Sequence, residues 1–297
     1  MSRGPIFIGG LAHSGKTPLR IVLGAHPDIS MTRRTHLWDR FLGRFGDLAE
    51  PRNLERCLEA IAADPGAADL HPEPERLRRE LLEGPATYAR LFDLLHRHHA
   101  ERCGKRRWGD QLGGVERLAD TIFAAYPSAR MIHMIRDPRA GANGRLPDRW
   151  GTLGWETARW LASAQLAERN LRRYPGRYRV VRFESLAAEP AETVRELCTF
   201  LGERVEPSMQ EPIAWLESHA HDEPVGAPGC PTPTAEAFVD RYARPGLEAW
   251  GYRARTGTAL STRDRFAFVL VSRPLNRASM TAWRLSEGRS VGGPVEG

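Results

Sequence analysis

The sequence predicts an α/β fold of three layers, in which helices flank a mainly parallel central sheet and a helical insertion is added. Three segments, residues 5–8, 129–138 and 178–186, are short and apolar, as buried strands are. Segments in which apolar residues recur at helical spacing follow each of them. Strands that alternate with helices along a chain favour a parallel sheet that is covered on both faces.

The first strand and the first helix are joined by a glycine-rich turn. The strand PIFI, residues 5–8, ends in glycines, and the apolar residues of TPLRIVLGAHP, residues 17–27, have helical spacing. Residues 10–17 match the Walker A pattern of glycine, any four residues, glycine, lysine and threonine. The backbone amides of such a turn and the positive end of its helix bind phosphate-like groups. The sequence therefore predicts a P-loop-like fold with an anion site at this turn.

The segment 37–104 is predicted to be a helical insertion that covers this site, because its helical stretches are separated only by prolines. Three histidines, His96, His98 and His99, lie in one of these stretches. Their spacing does not direct the three rings to one point, as a metal ion requires. We therefore predict a solvated helix face here and no metal site.

The later elements continue the alternation of strands and helices. Residues 115–127 are predicted to be a helix, residues 129–138 the second strand, and residues 155–175 a long amphipathic helix. The third strand, residues 178–186, precedes a helix at 190–202. The sequence thus predicts a single domain over residues 1–285, followed by a disordered tail at 286–297.

Charge and composition narrow the class of ligand. The chain has 297 residues and a net charge of +6, which favours anionic ligands. Its basic residues are spread along the chain without interleaved aromatic residues, so nucleic acid is not a predicted partner. Of the 43 basic residues only Lys16 and Lys105 are lysines, so a lysine inside the glycine-rich turn is informative.

The cellular setting is predicted from what the sequence lacks. The four cysteines have no CxxC spacing, and the N-terminus has no long apolar stretch of the kind found in signal peptides. No apolar run is long enough to span a membrane. These observations predict a cytoplasmic protein with no transmembrane segment, and they leave homodimer formation open.

Three segments in order resemble the sulfotransferases that use 3'-phosphoadenosine 5'-phosphosulfate (PAPS), in particular the bacterial branch related to tyrosylprotein sulfotransferases. The first segment is PIFIGGLAHSGKTPLRIVLGAHPDI, and the second comprises WGDQLGG and AYPSARMIHMIRDPRAGANG. The third is RFESLAAEPAETVRELCTFLG. The resemblance implies a sulfotransferase that moves a sulfuryl group from PAPS to a hydroxyl or amine of a small-molecule, glycan or lipid acceptor.

The resemblance also implies which residues hold the nucleotide. Those expected around the 5'-phosphosulfate lie in the first loop: His13, Ser14, Gly15, Lys16, Thr17 and Pro18. Arg136 is expected to bind the 3'-phosphate, and the family's second ligand of that phosphate falls on Gly144, where Asn143 or Arg145 would substitute.

Several family positions carry other residues here. The family arginine before Ser-Gly is His13, the lysine of Trp-Gly-Asp-Lys is Gln111, and the catalytic glutamate of the tyrosylprotein enzymes falls at about Arg34. We expect Lys16 to be catalytic, because it restores the positive charge lost at Gln111 and can stabilise the leaving oxygen. For the general base, His36 is the first candidate, because a neutral imidazole accepts a proton near pH 7.

Two further candidates for the base and two alternative functions stay open. Asp39 and Asp110 follow His36 as candidate bases. A P-loop kinase would use the Walker A pattern with ATP or GTP, Mg²⁺ and an acidic residue such as Asp137. A catalytically degenerate nucleotide-binding protein is the other alternative. The basic, aromatic stretch RFAFVLVSRPLNRASMTAW is expected to pack on the body of the protein rather than contact a membrane.

Overall fold

The computed structural model describes residues 3–140, 152–219, 233–253 and 261–290. The chain divides into two compact units. The first unit comprises Met1–Met134 and Asn170–Ser218, and the second comprises Ile135–Arg169 and His219–Gly297. The single domain predicted for residues 1–285 stays a prediction.

A five-stranded sheet in the order β2-β3-β1-β4-β5 forms the centre of the fold. The pairs β2–β3, β3–β1 and β1–β4 are parallel, as the alternation of strands and helices predicts. The strands are β1 (Ile6–Gly10), β2 (Ile29–Arg33), β3 (Arg107–Gln111), β4 (Arg130–Ile135) and β5 (Tyr178–Arg182).

Helices occupy most of the remaining described residues. Those of the first half of the chain are α1 (Lys16–Gly24), α2 (Pro51–Ala63), α3 (Pro74–Leu82), α4 (Tyr88–Arg102) and α5 (Ala119–Ala125). Those of the second half are α6 (Thr152–Arg173), α7 (Phe183–Ala188), α8 (Pro190–Leu201), α9 (Gln210–His219), α10 (Pro233–Tyr242), α11 (Arg244–Ala249), α12 (Thr262–Ala267) and α13 (Arg273–Ser290). Shorter helical turns are Leu37–Phe41, Ala68–Leu70, Val115–Leu118, Pro138–Ala140, Pro207–Met209 and Phe268–Ser272.

Two apolar clusters cover the two faces of the sheet. Successive residues of a strand point to opposite faces, so Ile6 and Ile8 lie in one cluster and Phe7 lies in the other. The cluster around Ile6 is completed by α1 and α8, whereas the cluster around Phe7 includes residues of α2, α3 and α4. This arrangement gives the three layers predicted from the sequence.

Two strands were missed and two were too long in the sequence prediction. The predicted strand 129–138 ends at Ile135, the last residue of β4. β2 and β3 lie inside segments that were not assigned as strands. The predicted strand 178–186 ends at Arg182, because the chain turns into α7 at Phe183. The helix predicted at 115–127 begins as a 3-10 turn, Val115–Leu118, before α5.

The segment 37–104 is helical as predicted, but His96 and His98 are buried, and only His99 of the three neighbouring histidines is partly exposed. His96 is buried and stacks on Trp108 with 4.4 Å between ring centroids. His98 is also buried and lies 2.8 Å from the carboxylate of Glu80. Burial lowers the pKa of His96 to about 3, with a smaller contribution from the charge of His99. The predicted solvated face is therefore wrong, since these side chains serve packing and pairing within the first unit.

The C-terminal part of the chain is helical as far as Ser290, which includes the start of the predicted tail, and residues 291–297 lie outside the described residues. No helix among the described residues combines the length and the apolar character that crossing a bilayer needs. Among the same residues, no three His, Cys, Asp or Glu side chains are grouped so that they could hold a metal ion.

Candidate active site

The glycine-rich turn connects β1 to α1 at the carboxyl end of the strand. Gly15 occupies the N-cap position of α1 with a φ of 89°, and Gly10 ends β1 with a φ of 116°. Within the described helix, no side chain caps α1 and its first turn contains no acidic residue. The first amides of α1 and its positive end are therefore suited to an anion.

Both glycines are required by close packing as well as by backbone conformation. A Cβ at Gly10 would lie 2.2 Å from the carbonyl oxygen of Met134 in β4. A Cβ at Gly15 would lie 2.3 Å from Cδ2 of Phe183, the first residue of α7. The turn thus approaches its neighbours more closely than any residue with a side chain allows.

Two polar side chains of the turn point back to its own backbone. Nζ of Lys16 donates hydrogen bonds to the carbonyl oxygens of Gly10, at 2.8 Å, and of Leu11. The hydroxyl of Ser14 donates to the carbonyl oxygen of Leu11 at 2.8 Å. Ser14 and Lys16 are buried, whereas the other predicted side chains of the turn, His13 and Thr17, are exposed. The structure therefore places the ammonium group of Lys16 at the turn, as the sequence predicts.

A network of buried polar side chains is hydrogen-bonded to the backbone of the turn. The backbone amide of Gly10 donates to Oε2 of Glu116 at 2.9 Å. The other carboxylate oxygen of Glu116 lies 3.9 Å from Nε2 of His133, whose Nδ1 is 2.7 Å from the hydroxyl of Tyr178. Burial lowers the pKa of His133, and the nearby charge of Lys16 acts in the same direction, although Glu116 opposes both. Sequence reasoning did not find Glu116, since nothing in its local pattern marks it as a partner of the turn.

Arg136 is the residue that directly follows β4, and it belongs to the second unit. Its carbonyl oxygen accepts a hydrogen bond from Nε1 of Trp160 at 2.9 Å. Asp137 accepts from the backbone amide of Arg139 at 2.9 Å and pairs with its guanidinium at 2.7 Å. The acidic residue that a kinase would need for Mg²⁺ is thus engaged by an arginine. Gly144, together with Asn143 and Arg145, lies outside the described residues.

The three candidate bases differ in exposure. The side chain of His36 is 26% exposed, and its Nδ1 lies 3.0 Å from the carboxylate of Asp39. Asp110 is fully buried and accepts hydrogen bonds from the hydroxyls of Thr32, at 3.0 Å, and Thr35, at 2.5 Å. Burial raises the pKa of Asp110, although the two hydroxyl groups lower it in part. Of the three, His36 combines access to solvent with a carboxylate that orients its ring.

Two of the positions that depart from the family pattern, Arg34 and Gln111, lie at the carboxyl ends of β2 and β3. Arg34 follows β2 with a φ of 52°, and its backbone amide donates to the carbonyl oxygen of Gln111 at 2.8 Å. Gln111 ends β3 and is buried. The strand order separates His36 and the turn by one strand, which corresponds to about 10 Å between the strands that carry them.

Two cavities of the first unit have different positions relative to the turn. One, of about 360 Å³, lies beside α1 and the end of β2, and its lining is Arg20, Met31, Thr32, Arg33, Asp69, His71 and His99. Burial and the charge of Arg33 lower the pKa of Arg20 in this lining. A larger cavity, of about 690 Å³, includes Pro5 and Arg107 at the amino ends of β1 and β3, which is the opposite edge of the sheet from the turn. Of these two cavities, the smaller one is lined in part by a residue of α1, the helix that follows the turn.

A mainly parallel sheet with a glycine-rich turn between its central strand and a helix defines a P-loop-like α/β fold. The chain belongs to the sulfotransferase family, whose family model, described as "Sulfotransferase family", matches residues 5–207.

Individual relatives are distant and longer than this chain. Human carbohydrate sulfotransferase 5 is 30% identical over 147 residues, which cover 41% of this chain and 34% of that protein. The protein-tyrosine sulfotransferase of Drosophila melanogaster is 24% identical over 258 residues, which cover 82% of this chain and 46% of that protein. The chain therefore spans less than half the length of these two relatives.

A solved structure shows the same fold. The sulfotransferase STF9 from Mycobacterium avium aligns with 86% of this chain and 79% of its own chain, at a TM-score of 0.51 and 13% identity.

Proposed function

We propose that the chain transfers a sulfuryl group from PAPS to a hydroxyl or amine of a small-molecule, glycan or lipid acceptor. The observation that carries this proposal is the turn before α1, where Gly15 begins the helix, no acidic residue lies in the first turn of the described helix, and Lys16 adds a positive charge. Membership of the sulfotransferase family supports it. The acceptor class, like the cytoplasmic location, stays a prediction.

The residues of the turn fit the phosphosulfate end of PAPS. The amides at the start of α1 would face the anionic oxygens, and the hydroxyl of Thr17 adds a donor. The hydroxyl of Ser14 would add a second donor by turning away from the carbonyl oxygen of Leu11. Pro18 has no backbone N–H to donate, so it would make only van der Waals contact with the nucleotide. Arg136, by its resemblance to the family position, would hold the 3'-phosphate through its guanidinium. PAPS itself supplies the activated sulfuryl group.

The side chains of the first unit can perform the charge and proton steps. The ammonium group of Lys16 stabilises negative charge that develops on the leaving bridging oxygen. When Nδ1 of His36 donates to Asp39, its Nε2 is left to accept the proton of the acceptor's hydroxyl or amine. The cavity of about 360 Å³ beside α1 is within the size range of small-molecule sites and would give the acceptor room.

A comparison of nucleotides tests the proposal without an acceptor. We expect PAP, the desulfated product, to raise the melting temperature of the protein, because a ligand at about 100 times its Kd stabilises a folded protein by about 2.7 kcal/mol. Adenosine 5'-monophosphate, which lacks the 3'-phosphate, should stabilise less. Stronger stabilisation by ATP with Mg²⁺ than by PAP would instead support a kinase, and binding of PAP without turnover of any acceptor would support a degenerate protein.

Replacing His36 by asparagine tests its assignment as the base. Asparagine tolerates the positive φ of 55° at this position, so the fold should be retained. We expect kcat to fall by about 10²–10⁴-fold, the usual contribution of a general base.

The matched variant for this prediction is Asp39→Asn, which keeps the imidazole and removes only the carboxylate that orients it. A smaller loss of kcat is expected from it. Wild-type kcat in His36→Asn would show that another group accepts the proton.

A further inference from the structure

The C-terminal helical segment of the second unit carries large apolar side chains on its outer surface. Phe266, Val269, Leu270 and Val271 are 63%, 54%, 69% and 46% exposed. They lie in α12 and in the helical turn Phe268–Ser272 that joins it to α13. We call these four side chains the C-terminal apolar surface.

The opposite side of the same segment is already packed. Phe268, Asn276, Met280 and Trp283 are at most 8% exposed. They recur at spacings of three, four and eight residues and therefore form one stripe of the helix. The sequence predicts that the stretch RFAFVLVSRPLNRASMTAW packs on the body of the protein. Of this stretch, only the stripe of buried side chains does so. A surface helix that is apolar on both sides is unusual, because the side that faces water is normally polar.

Arginines border the C-terminal apolar surface. Arg263 and Arg265 precede it and Arg277 and Arg284 follow it, and all four are exposed. The only carboxylates of residues 261–290 are Asp264, which accepts a hydrogen bond from the hydroxyl of Ser261 at 2.6 Å, and Glu287. Six arginines against two carboxylates leave this segment cationic.

We propose that the C-terminal apolar surface docks the protein on a lipid bilayer that contains anionic lipids. The apolar side chains would enter the interfacial region, while the arginines on either side contact the headgroup phosphates. The segment lies on the membrane in this arrangement and does not cross it.

Charge argues for lipid rather than a second copy of the chain. In a two-fold symmetric dimer the same patch faces itself, so the bordering arginines of the two copies would be brought together. An anionic lipid surface neutralises these arginines and accepts the apolar side chains at the same time. The segment therefore complements an anionic bilayer in its positive charge and in its exposed apolar side chains.

Co-sedimentation with lipid vesicles tests this inference on the full chain without nucleotide, so its outcome is independent of the proposed enzymatic function. Vesicles of phosphatidylcholine with about 30 mol% phosphatidylglycerol should bind the protein, and pure phosphatidylcholine should bind it much less. Added salt should weaken binding. The double variant Phe266→Ser, Leu270→Ser should lower the partition coefficient by about tenfold or more, because its two apolar side chains no longer insert.

Leu82→Ser is the matched control, since Leu82 is an apolar side chain of the first unit that is 60% exposed. It should bind vesicles like the wild type. A second variant, Arg263→Gln with Arg277→Gln, should lose the preference for anionic vesicles. Equal binding of the wild type to both vesicles overturns the proposal. A wild-type dimer in sedimentation velocity without lipid that the double serine variant converts to a monomer also overturns it, in favour of an interface between copies.

Discussion

The variant Lys16→Met is expected to lower kcat by about 10²–10³-fold, while its affinity for PAPS falls by less than about tenfold. Methionine keeps the length and apolar character of the buried lysine stem, so the loss is confined to the ammonium group. That group lies at the turn, where its Nζ is bonded to the carbonyl oxygens of Gly10 and Leu11. In PAPS the bridging oxygen is bonded to sulfur, and its negative charge develops only as that bond breaks, so its stabilisation appears in kcat more than in the binding of PAPS.

The chain offers a matched control in its only other lysine. Nζ of Lys105 also donates to two backbone carbonyl oxygens, those of Gly24 and Ile29, but Gly24 is the last residue of α1 and not part of the turn. Lys105→Met should therefore lower the free energy of unfolding and leave kcat unchanged. Single-turnover kinetics with saturating PAPS and equilibrium binding of PAPS without an acceptor separate the two effects. Equal kcat in the wild type and Lys16→Met would remove Lys16 from the catalytic step.

Apolar patterning predicts some strands of this sheet and conceals others. β1, β4 and β5 are found because they are rich in apolar residues and a segment with helical spacing follows each of them along the chain. β3 has the sequence RWGDQ, whose polar side chains are buried against partners remote in sequence. Arg107 pairs with Glu203 at 2.8 Å, and Asp110 accepts from the hydroxyls of two threonines. Such compensation is decided by the tertiary structure, and the polar composition alone argues against a strand.

The same distinction applies to the candidate site. The turn at residues 10–17 is predictable because its conformation depends on its own glycines, and the pair His36 and Asp39 is close in sequence. Glu116, in contrast, accepts from the amide of Gly10 across a separation of 106 residues. Local sequence therefore identifies the groups that would face the ligand, whereas the carboxylate that fixes the turn becomes visible only in the folded chain.

The second large effect is expected from Gly10→Ala, which should lower the free energy of unfolding by about 2–4 kcal/mol and abolish binding of PAP. Two causes add at this position. Its φ of 116° is unfavourable for any residue with a Cβ, and the new methyl group would lie 2.2 Å from the carbonyl oxygen of Met134. That oxygen belongs to β4, whose backbone is paired with β1, so it cannot move away without loss of the pairing.

Gly43→Ala separates the two causes, because Gly43 has a φ of 70° but no heavy atom lies within 4 Å of the position its Cβ would take. Its free energy of unfolding should fall by about 1 kcal/mol, the cost of the left-handed conformation alone, and it should bind PAP normally. Urea unfolding of both variants, with PAP titrated into each, measures the difference. The first amides of α1 bind an anion only in the conformation that Gly10 and Gly15 allow. Equal losses of unfolding free energy and of PAP affinity in the two variants would therefore mean that the turn relaxes around a methyl group and that β4 does not hold it in a fixed shape.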